Sequence, residues 1–259
     1  MMATTMALAD KKILVTGSKG FIGKNLLLRL SELGCQNIVT FDRIDNINKL
    51  EALVKNSKII FHLAGETRSK DPKDFNRVNV GLTKKLYEVI SAQTAARSHA
   101  INLVHLSSAH YNLKNDYGRS KKAGEKLIKN LIASNKIQGT IFRLHGVFGK
   151  WAEPNYNSVV ATFCHNVARG IPLDIHDPDK NLRLVYIDDV VEALVISAQE
   201  KSPGVSIGEI KNYYNISIEC LAQKIITFDN VRKNLTVPLV GSGIDRVLYS
   251  TYLSYLPIE

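Results

Sequence analysis

Three glycines spaced G-x-x-G-x-x-G stand between an apolar run and an amphipathic stretch near the start of this 259-residue chain. The run 13–15 predicts a buried strand, and the stretch 25–30 has apolar residues at helical spacing. At such a turn Gly17 permits a tight bend, Gly20 lets a phosphate approach the main chain, and Gly23 lets helix and strand pack closely. The helix start offers N–H groups and a positive dipole end to a pyrophosphate. The pattern therefore predicts a dinucleotide-binding turn.

Apolar runs and helical patterns alternate through the first 150 residues. Strands are predicted at 37–41, 58–62, 101–106 and 139–144, and helices at 50–55, 72–96 and 116–134. This alternation predicts an α/β fold with a Rossmann-type doubly wound parallel sheet. The cofactor-binding core is expected at about 11–150 and 182–200, a small substrate-binding subdomain at about 151–181 and 201–259, and a disordered extension at 1–10.

The second predicted strand ends in Asp42 and Arg43. In a dinucleotide fold an acid at this place holds the ribose hydroxyls, whereas an arginine receives a 2′-phosphate. Asp42 favours NAD, while Arg43 and Lys19 could accommodate NADP. The residues alone leave both cofactors open.

Composition excludes several classes of protein. The net charge is +10, but the basic residues are scattered and no arginine-rich tract with interleaved aromatics occurs, so nucleic acid is not an expected partner. No apolar run approaches the ~20 residues of a membrane helix. The cysteines, Cys35, Cys164 and Cys220, are far apart, which indicates neither a metal site nor a disulfide framework and fits a cytoplasmic protein.

A tyrosine and a lysine four residues apart, Tyr117 and Lys121, are expected on one face of the helix 116–134. A nearby ammonium stabilises a phenolate and lowers the phenol pKa, so that the phenol can exchange a proton with a carbonyl or an alcohol. Ser108, at the end of the fourth strand, can hydrogen-bond the developing oxyanion. We therefore predict Ser108, Tyr117 and Lys121 as catalytic residues.

Further cofactor contacts are predicted where small or apolar residues let the backbone approach the ligand. The full predicted set of cofactor-binding residues is Gly17, Lys19, Gly20, Phe21, Ile22, Gly23, Asp42, Arg43, Leu63, Ala64, Gly65, Asn79, Tyr117 and Lys121.

The glycine motif, Ser108 and Tyr117-x-x-x-Lys121 resemble the extended short-chain dehydrogenase/reductase family of nucleotide-sugar enzymes. The stretches 148–164, 184–191 and 248–257 are similar to bacterial capsular-polysaccharide reductases of that family. The resemblance implies reduction of a 4-keto UDP-2-acetamido-2,6-dideoxyhexose in UDP-N-acetyl-L-fucosamine synthesis, with NADP(H) favoured over NAD(H). It also implies a UDP-sugar substrate contacted by Arg143, Asn157 and Arg183, a homodimer, and no metal in this part of the chain.

Two departures from the family pattern bear on these expectations. Gly146 replaces the asparagine of the usual R-x-x-N motif that begins at Arg143. Such reductases also carry a C-terminal zinc-binding cupin domain, and this sequence stops about where that domain would begin, so epimerisation at C3 is not expected. The tyrosine-rich stretch 248–257 is then expected to be exposed.

Other functions on the same fold stay open at this point. A 4,6-dehydratase is disfavoured because Ala109 and His110 follow Ser108, where a dehydratase needs an acid–base pair. A nucleotide-sugar 4-epimerase, or a truncated copy that binds cofactor without catalysis, remains an alternative.

Overall fold

The computed structural model describes residues 8–94, 100–135, 137–156, 158–200 and 203–257. The chain forms two compact units: residues up to Leu144 with Val191–Glu209, and His145–Val190 with Ile210–Glu259. In chain order the elements are β1 (Ile13–Thr16), α1 (Phe21–Glu32), β2 (Ile38–Phe41), α2 (Lys49–Val54), β3 (Ile59–His62), α3 (Pro72–Phe75), a π-helix (Asn76–Leu82), α4 (Thr83–Thr94), β4 (Asn102–Ser108), α5 (Asp116–Asn135), β5 (Gln138–Leu144), β6 (Gly146–Phe148), α6 (Val159–Val167), β7 (Asn181–Tyr186), α7 (Ile187–Gln199), β8 (Gly204–Gly208), β9 (Tyr214–Ser217), α8 (Ile218–Asn234) and α9 (Gly243–Leu253).

The first unit is built on a six-stranded parallel sheet in the order β2-β1-β3-β4-β5-β8. Helices flank this sheet, and the predicted Rossmann-type fold is confirmed. The strand order reverses between β1 and β3, and ligands of open α/β sheets bind outside the carboxyl ends of the strands at such a switch point. Thr16 and His62 are in register at the carboxyl ends of these two strands.

The central strands are apolar because helices cover them. Every residue of β1, β3 and β4 is buried, as expected for parallel strands enclosed on both faces. One hydrophobic core cluster joins strand residues to one face of α4 and α5, and it includes Leu14, Ile60, Leu103, Ile141, Leu86, Ile90, Ile128, Leu131 and Ile132. This packing holds α5, which carries the predicted catalytic pair, against the sheet.

The second unit has its own three-stranded sheet. β6 pairs with β7 in parallel, and β7 pairs with β9 antiparallel. The helices α6, α8 and α9 pack against one another in this unit. Beyond α9, the Tyr255 hydroxyl donates to the carbonyls of Gly149 (3.3 Å) and Ala152 (2.5 Å).

The division of the chain differs from the predicted boundaries. β7 was expected in the cofactor-binding core, but it pairs with β6 and β9 in the second unit. β8 was expected in the substrate-binding part, but it is the edge strand beside β5. The boundaries between the two units depend on which strands pair, and a hydrophobic pattern does not indicate the partner of a strand.

Three smaller expectations also change. The predicted helix 72–96 is interrupted by the π-helix, and the structure follows it as far as Thr94. Of the predicted extension 1–10, the structure describes residues 8–10, and Leu8 is fully buried. The predicted exposure of 248–257 is wrong for Tyr252 and Tyr255, which are buried.

Candidate active site

The glycine turn has the geometry that its spacing predicts. Gly17 lies at φ +74°, and a Cβ there would stand 2.7 Å from the Ala64 nitrogen. A Cβ on Gly23 would stand 2.2 Å from the Gly17 carbonyl oxygen. The N-cap of α1 is Gly20, which offers no side-chain cap, and the first turn of α1 holds no acidic residue. Neither a side chain nor a negative charge of this turn therefore competes with a phosphate for the N–H groups that begin α1.

A pocket of about 510 Å³ opens beside this turn. Eight predicted cofactor residues line it: Gly17, Lys19, Gly20, Asp42, Arg43, Leu63, Ala64 and Gly65. The lining residues that the sequence prediction missed include Ile44, Ile47, Arg77, Val78 and Leu82. The signal for two of them is present in the sequence, because Ile44 and Ile47 are apolar residues in a polar loop. The turn and pocket together fit a dinucleotide.

Asp42 fixes the loop of the glycine turn. Its carboxylate accepts a short hydrogen bond from the Ser18 hydroxyl and one from the Lys19 backbone N–H at 3.0 Å. Its backbone N–H donates to the Asp45 carboxylate at 2.9 Å. Asp42 therefore joins the end of β2 to the glycine turn, whichever dinucleotide binds.

Arg43 reaches the same pocket and is held by a buried acid. Its Nη2 lies 2.6 Å from Glu66 Oε2. The Arg43 side chain is 75% exposed while that of Glu66 is 8% exposed, so the cation remains accessible to a ligand. Glu66 Oε1 also accepts from the backbone N–H groups of Thr67 (3.2 Å) and Arg68 (3.4 Å).

A directional chain of hydrogen bonds joins the carboxyl ends of β1 and β3 to the π-helix. The Thr83 hydroxyl donates to the Asn79 carbonyl (2.9 Å), so Thr83 must accept from His62 Nε2 (2.9 Å). His62 Nδ1 then accepts from the Thr16 hydroxyl (2.8 Å), and Thr16 accepts from the Ala64 N–H (3.3 Å). Burial, with a smaller effect of the Lys121 charge, lowers the pKa of His62 to about 3. His62 is thus a neutral structural residue with one fixed tautomer.

Asn79 lies buried in the π-helix, a local widening that is frequent at functional sites. Its Oδ1 accepts from the Glu66 N–H (2.8 Å), and its Nδ2 donates to the Glu66 carbonyl (3.0 Å) and to Ser120 Oγ (2.9 Å). Asn79 therefore ties the segment after β3 to α5. Its predicted contact with the cofactor itself stays a prediction.

Ser108, Tyr117 and Lys121 meet at the carboxyl end of β4. Lys121 Nζ lies 6.0 Å from the centre of the Tyr117 ring. The Ser108 hydroxyl accepts from the His110 N–H (3.1 Å) and lies close enough to the Tyr117 phenol to oppose a rise in its pKa. The Tyr117 ring also packs edge-on against Phe75, with centroids 5.8 Å apart.

The structure changes one electrostatic expectation. Burial raises the pKa of Tyr117, with the Ser108 hydrogen bond opposing that rise, whereas the sequence predicted that Lys121 lowers this pKa. The reason is the direction of the lysine side chain. Lys121 Nζ lies 3.4 Å from the Leu106 carbonyl oxygen. A Cβ built on Gly65 would stand 2.9 Å from the same Nζ. The ammonium therefore points to the Leu106 carbonyl and to the space beside Gly65, a residue that lines the pocket.

Lys121 is buried, and this gives a pH-dependent stability. Burial lowers its pKa from 10.5 to about 8, with the Glu125 charge opposing that change. Between pH 8 and 10.5 the native state releases a proton that the unfolded state keeps, so this group makes the protein more stable as the pH rises. We expect the free energy of unfolding of wild type, relative to Lys121→Met, to increase by about 2–3 kcal/mol across this range.

Urea unfolding followed by circular dichroism from pH 7 to pH 10.5 measures this difference. Lys122→Met is the matched control, because Lys122 is the exposed neighbour on α5. A difference between wild type and Lys121→Met that stays constant with pH would contradict the assignment of a depressed lysine.

Of the three predicted substrate residues, the structure describes two, and these belong to different units. Arg143 lies in the first unit and pairs with Glu125, through Nε to Oε1 (3.0 Å) and Nη2 to Oε2 (2.8 Å). Arg183 lies in the second unit, exposed, with its guanidinium 4.4 Å from the centre of the Tyr213 ring. Asn157 lies outside the described residues. A phosphate contact by Arg143 would have to compete with its ion pair.

The described part of the chain has neither a cluster of metal ligands nor a membrane-spanning helix. No group of three or more His, Cys, Asp or Glu residues there is placed to hold a metal ion. None of the helices in those residues is both long and apolar enough to cross a membrane.

The fold and the site define the class of the protein. The chain belongs to the NAD dependent epimerase/dehydratase family, whose sequence profile matches residues 13–216. This confirms the resemblance to extended short-chain dehydrogenases/reductases, and it establishes the chain as a member of an NAD(P)-binding family.

Within this family, the chain is similar to two proteins that act on sugars or polysaccharides by name. Over 246 residues the chain is 42% identical to a UDP-2-acetamido-2,6-beta-L-arabino-hexul-4-ose reductase from Pseudomonas aeruginosa, covering 95% of this chain and 65% of the relative. The crystal structure of the capsular polysaccharide assembling protein CapF from Staphylococcus aureus superposes with a TM-score of 0.83 at 31% identity, covering 95% of this chain and 66% of CapF. The chain therefore spans just under two thirds of the length of these relatives.

A more distant structure supports the fold alone. The Bordetella bronchiseptica enzyme WbmF, solved with NAD⁺ and UDP, has a TM-score of 0.79 at 20% identity and covers 95% of this chain and 92% of WbmF. The narrower resemblance to capsule reductases, stated from the sequence, is confirmed by the similarity to CapF and to the Pseudomonas enzyme.

Proposed function

We propose that this protein reduces a 4-keto UDP-2-acetamido-2,6-dideoxyhexose with NAD(P)H, in the synthesis of UDP-N-acetyl-L-fucosamine for a capsular or surface polysaccharide. One observation carries the proposal: a buried lysine ammonium faces the space beside Gly65, a residue of the pocket lining, one helical turn from a tyrosine that lies beside Ser108. The 42% identity to the Pseudomonas reductase supports this choice of substrate.

The protein's residues have distinct roles in this reaction. A nicotinamide dinucleotide held at the glycine turn would supply the hydride. Tyr117 donates the proton to the carbonyl oxygen, and its raised pKa keeps the phenol protonated near neutral pH. Ser108 hydrogen-bonds the same oxygen as negative charge develops there. Lys121 holds ribose hydroxyls and supplies a positive charge in a buried site.

Charge in the pocket favours NADP over NAD. Both oxygens of Asp42 already accept hydrogen bonds from the glycine turn, which leaves this carboxylate less available to ribose hydroxyls. Three cations, Lys19, Arg43 and Arg77, line the pocket together with the carboxylates of Asp42 and Asp45, and Arg77 pairs with Asp74 at 2.7 Å. The exposed Arg43 guanidinium is therefore our candidate for the 2′-phosphate.

Replacing Arg43 by alanine tests the cofactor choice. We expect the affinity for NADPH to fall about 10- to 50-fold, because a charge-assisted hydrogen bond to phosphate is lost, while that for NADH changes less than about twofold. Fluorescence titration of both cofactors measures this. Lys58→Ala is the control for a lost surface cation, since Lys58 precedes β3 at the opposite end of that strand. Equal losses for the two cofactors would exclude Arg43 as the 2′-phosphate ligand.

The substrate assignment uses fewer residues than the sequence suggested. We assign the exposed Arg183 to the phosphates of the UDP group, since its guanidinium is oriented by Tyr213. Asn157 is retained as a sugar-nucleotide contact on the strength of the family resemblance. Arg143 is paired with Glu125 and is given a different role below.

Stoichiometric oxidation of NADPH tests the proposed activity. We expect absorbance at 340 nm to fall only when the UDP-4-keto-6-deoxy-N-acetylhexosamine is present, and mass spectrometry to show a sugar nucleotide two mass units heavier. UDP-N-acetylglucosamine, which has no keto group, is the matched negative control. Interconversion of sugars without net NADPH oxidation would instead identify a 4-epimerase.

We further propose that the protein is a cytoplasmic homodimer, as the family resemblance implies. Light scattering after size-exclusion chromatography measures the mass, for which a dimer is twice the 28.8 kDa of the chain. A monomeric mass at the concentration of the activity assay would contradict the dimer.

A further inference from the structure

Three residues on α5, spaced four apart, form one stripe along the helix, and two of them are buried. Tyr117, Lys121 and Glu125 share a helix face, and Lys121 and Glu125 are only 7% and 2% exposed. Tyr117 and Lys121 of this stripe are predicted catalytic residues, whereas Glu125 has no role in that prediction. A carboxylate one turn beyond the active-site lysine is buried at a cost that its partners must offset.

Arg143 is the main partner that offsets this cost. Its two hydrogen bonds to Glu125, at 3.0 and 2.8 Å, form a bidentate pair. The guanidinium also lies 3.8 Å from the centre of the Tyr111 ring, which fixes its plane. Burial acts to raise the pKa of Glu125, but Arg143 and the nearby Ser107 and Lys129 outweigh it and lower this pKa. Glu125 is therefore ionised when the enzyme works.

Among the described residues around Lys121, Glu125 is the group that carries a negative charge. The titratable and charged groups that face this cluster are His62 from β3, His105 from β4, Arg143 from β5, and Tyr117, Glu125 and Lys129 on α5. Burial holds both histidines neutral by lowering their pKa values, and burial holds the Tyr117 phenol neutral.

We propose that Glu125 and Arg143 are a positioning pair for the proposed reduction: Glu125 keeps the Lys121 ammonium charged inside the site, and Arg143 limits the strength of that effect. The pair touches neither the carbonyl nor the dinucleotide in this proposal and acts only through Lys121. The inference rests on the proposed function, but the charge state of Lys121 can be measured without turnover.

This arrangement predicts opposite effects from the two halves of the pair. Glu125→Gln removes the negative charge, so Lys121 should lose its proton at a lower pH. Arg143→Met removes the cation that screens Glu125. Lys129 Nζ, 3.6 Å from Glu125 Oε2, still favours the ionised carboxylate above pH 7, so Lys121 should keep its proton to a higher pH. Structural damage alone would not move the two variants in opposite directions.

The experiment reads the Lys121 pKa in two ways. The first is the stability difference between each variant and the same variant carrying Lys121→Met, followed by urea unfolding from pH 7 to 10.5. The second is the alkaline limb of NADPH-dependent turnover on the UDP-4-keto sugar. We expect the pH midpoint to fall by about 0.5–1 in Glu125→Gln and to rise by a similar amount in Arg143→Met. Glu125→Asp, which keeps the charge, should return the midpoint towards that of wild type.

The outcomes separate this inference from the proposed function. Midpoints that are unchanged, or that move the same way in both variants, would overturn the positioning pair. If wild type shows no turnover, the proposed function fails, while the unfolding data still decide the effect of Glu125 on Lys121. If Glu125→Gln does not fold, Arg143→Met tests the effect of the Glu125 charge on Lys121 without altering α5. A pH midpoint of Lys121 that fails to rise in Arg143→Met would overturn the proposal.

Discussion

Replacing Tyr117 by phenylalanine is expected to lower NADPH oxidation by on the order of 10³-fold while leaving NADPH affinity within about threefold of wild type. The variant loses only the hydroxyl that donates the proton, and the ring can keep its edge-on contact with Phe75. Because the raised pKa keeps the phenol protonated near neutral pH, this hydroxyl is the proton donor that the reduction needs. Steady-state kinetics on the UDP-4-keto sugar and fluorescence titration of NADPH measure the two effects separately.

The matched control for this variant is Tyr87→Phe. Tyr87 is partly buried against the core of the same unit, so its variant loses a phenol hydroxyl away from Ser108 and Lys121. It should keep full activity. Retention of more than a tenth of wild-type activity by Tyr117→Phe would exclude Tyr117 as the proton donor. An equal loss in the control would attribute the effect to stability.

Replacing Gly23 by alanine is expected to abolish dinucleotide binding, with a loss of affinity above 100-fold, and to destabilise the protein by about 2–4 kcal/mol. A Cβ at this place would stand 2.2 Å from the Gly17 oxygen and 2.7 Å from the Ser18 Cα, both of which belong to the turn. The methyl group must push α1 away from the turn and disturb the N–H groups that begin the helix. NADPH titration and urea unfolding measure the two losses.

Gly241→Ala is the control for the intrinsic cost of replacing a glycine. A Cβ on Gly241 meets no atom within 4 Å and Gly241 has no left-handed backbone angle, so its variant should bind NADPH as wild type does. Wild-type affinity in Gly23→Ala would show that the helix start does not hold the pyrophosphate.

The sequence could predict the lining of the pocket beside the glycine turn because this part of the structure is local. A glycine turn and the residues beside it need only a strand before them and a helix after them, and Gly17, Gly20 and Asp42 accordingly line the pocket. The pair on α5 was also accessible, since four residues make about one helical turn and place Tyr117 and Lys121 on one face.

What escaped prediction depends on contacts between distant parts of the chain. The Arg143–Glu125 pair joins β5 to α5. The edge strand β8 pairs with β5, which lies about 60 residues earlier in the chain. The phenol pKa was predicted in the wrong direction because burial, rather than helical spacing, dominates it. The tyrosines near the end of the chain were expected at the surface, yet the Tyr252 hydroxyl donates to Asp229 (3.0 Å) from a fully buried ring.

The hydrogen-bond chain through Thr16, His62 and Thr83 has a kinetic consequence. Each of its protons has a single place, so the ends of β1 and β3 and the π-helix are locked together before any ligand arrives. Because this region is already ordered in the folded protein, dinucleotide binding does not include the entropy cost of ordering it. Association in rapid mixing should therefore be a single phase whose rate increases linearly with nucleotide concentration, without the plateau that a slow rearrangement imposes.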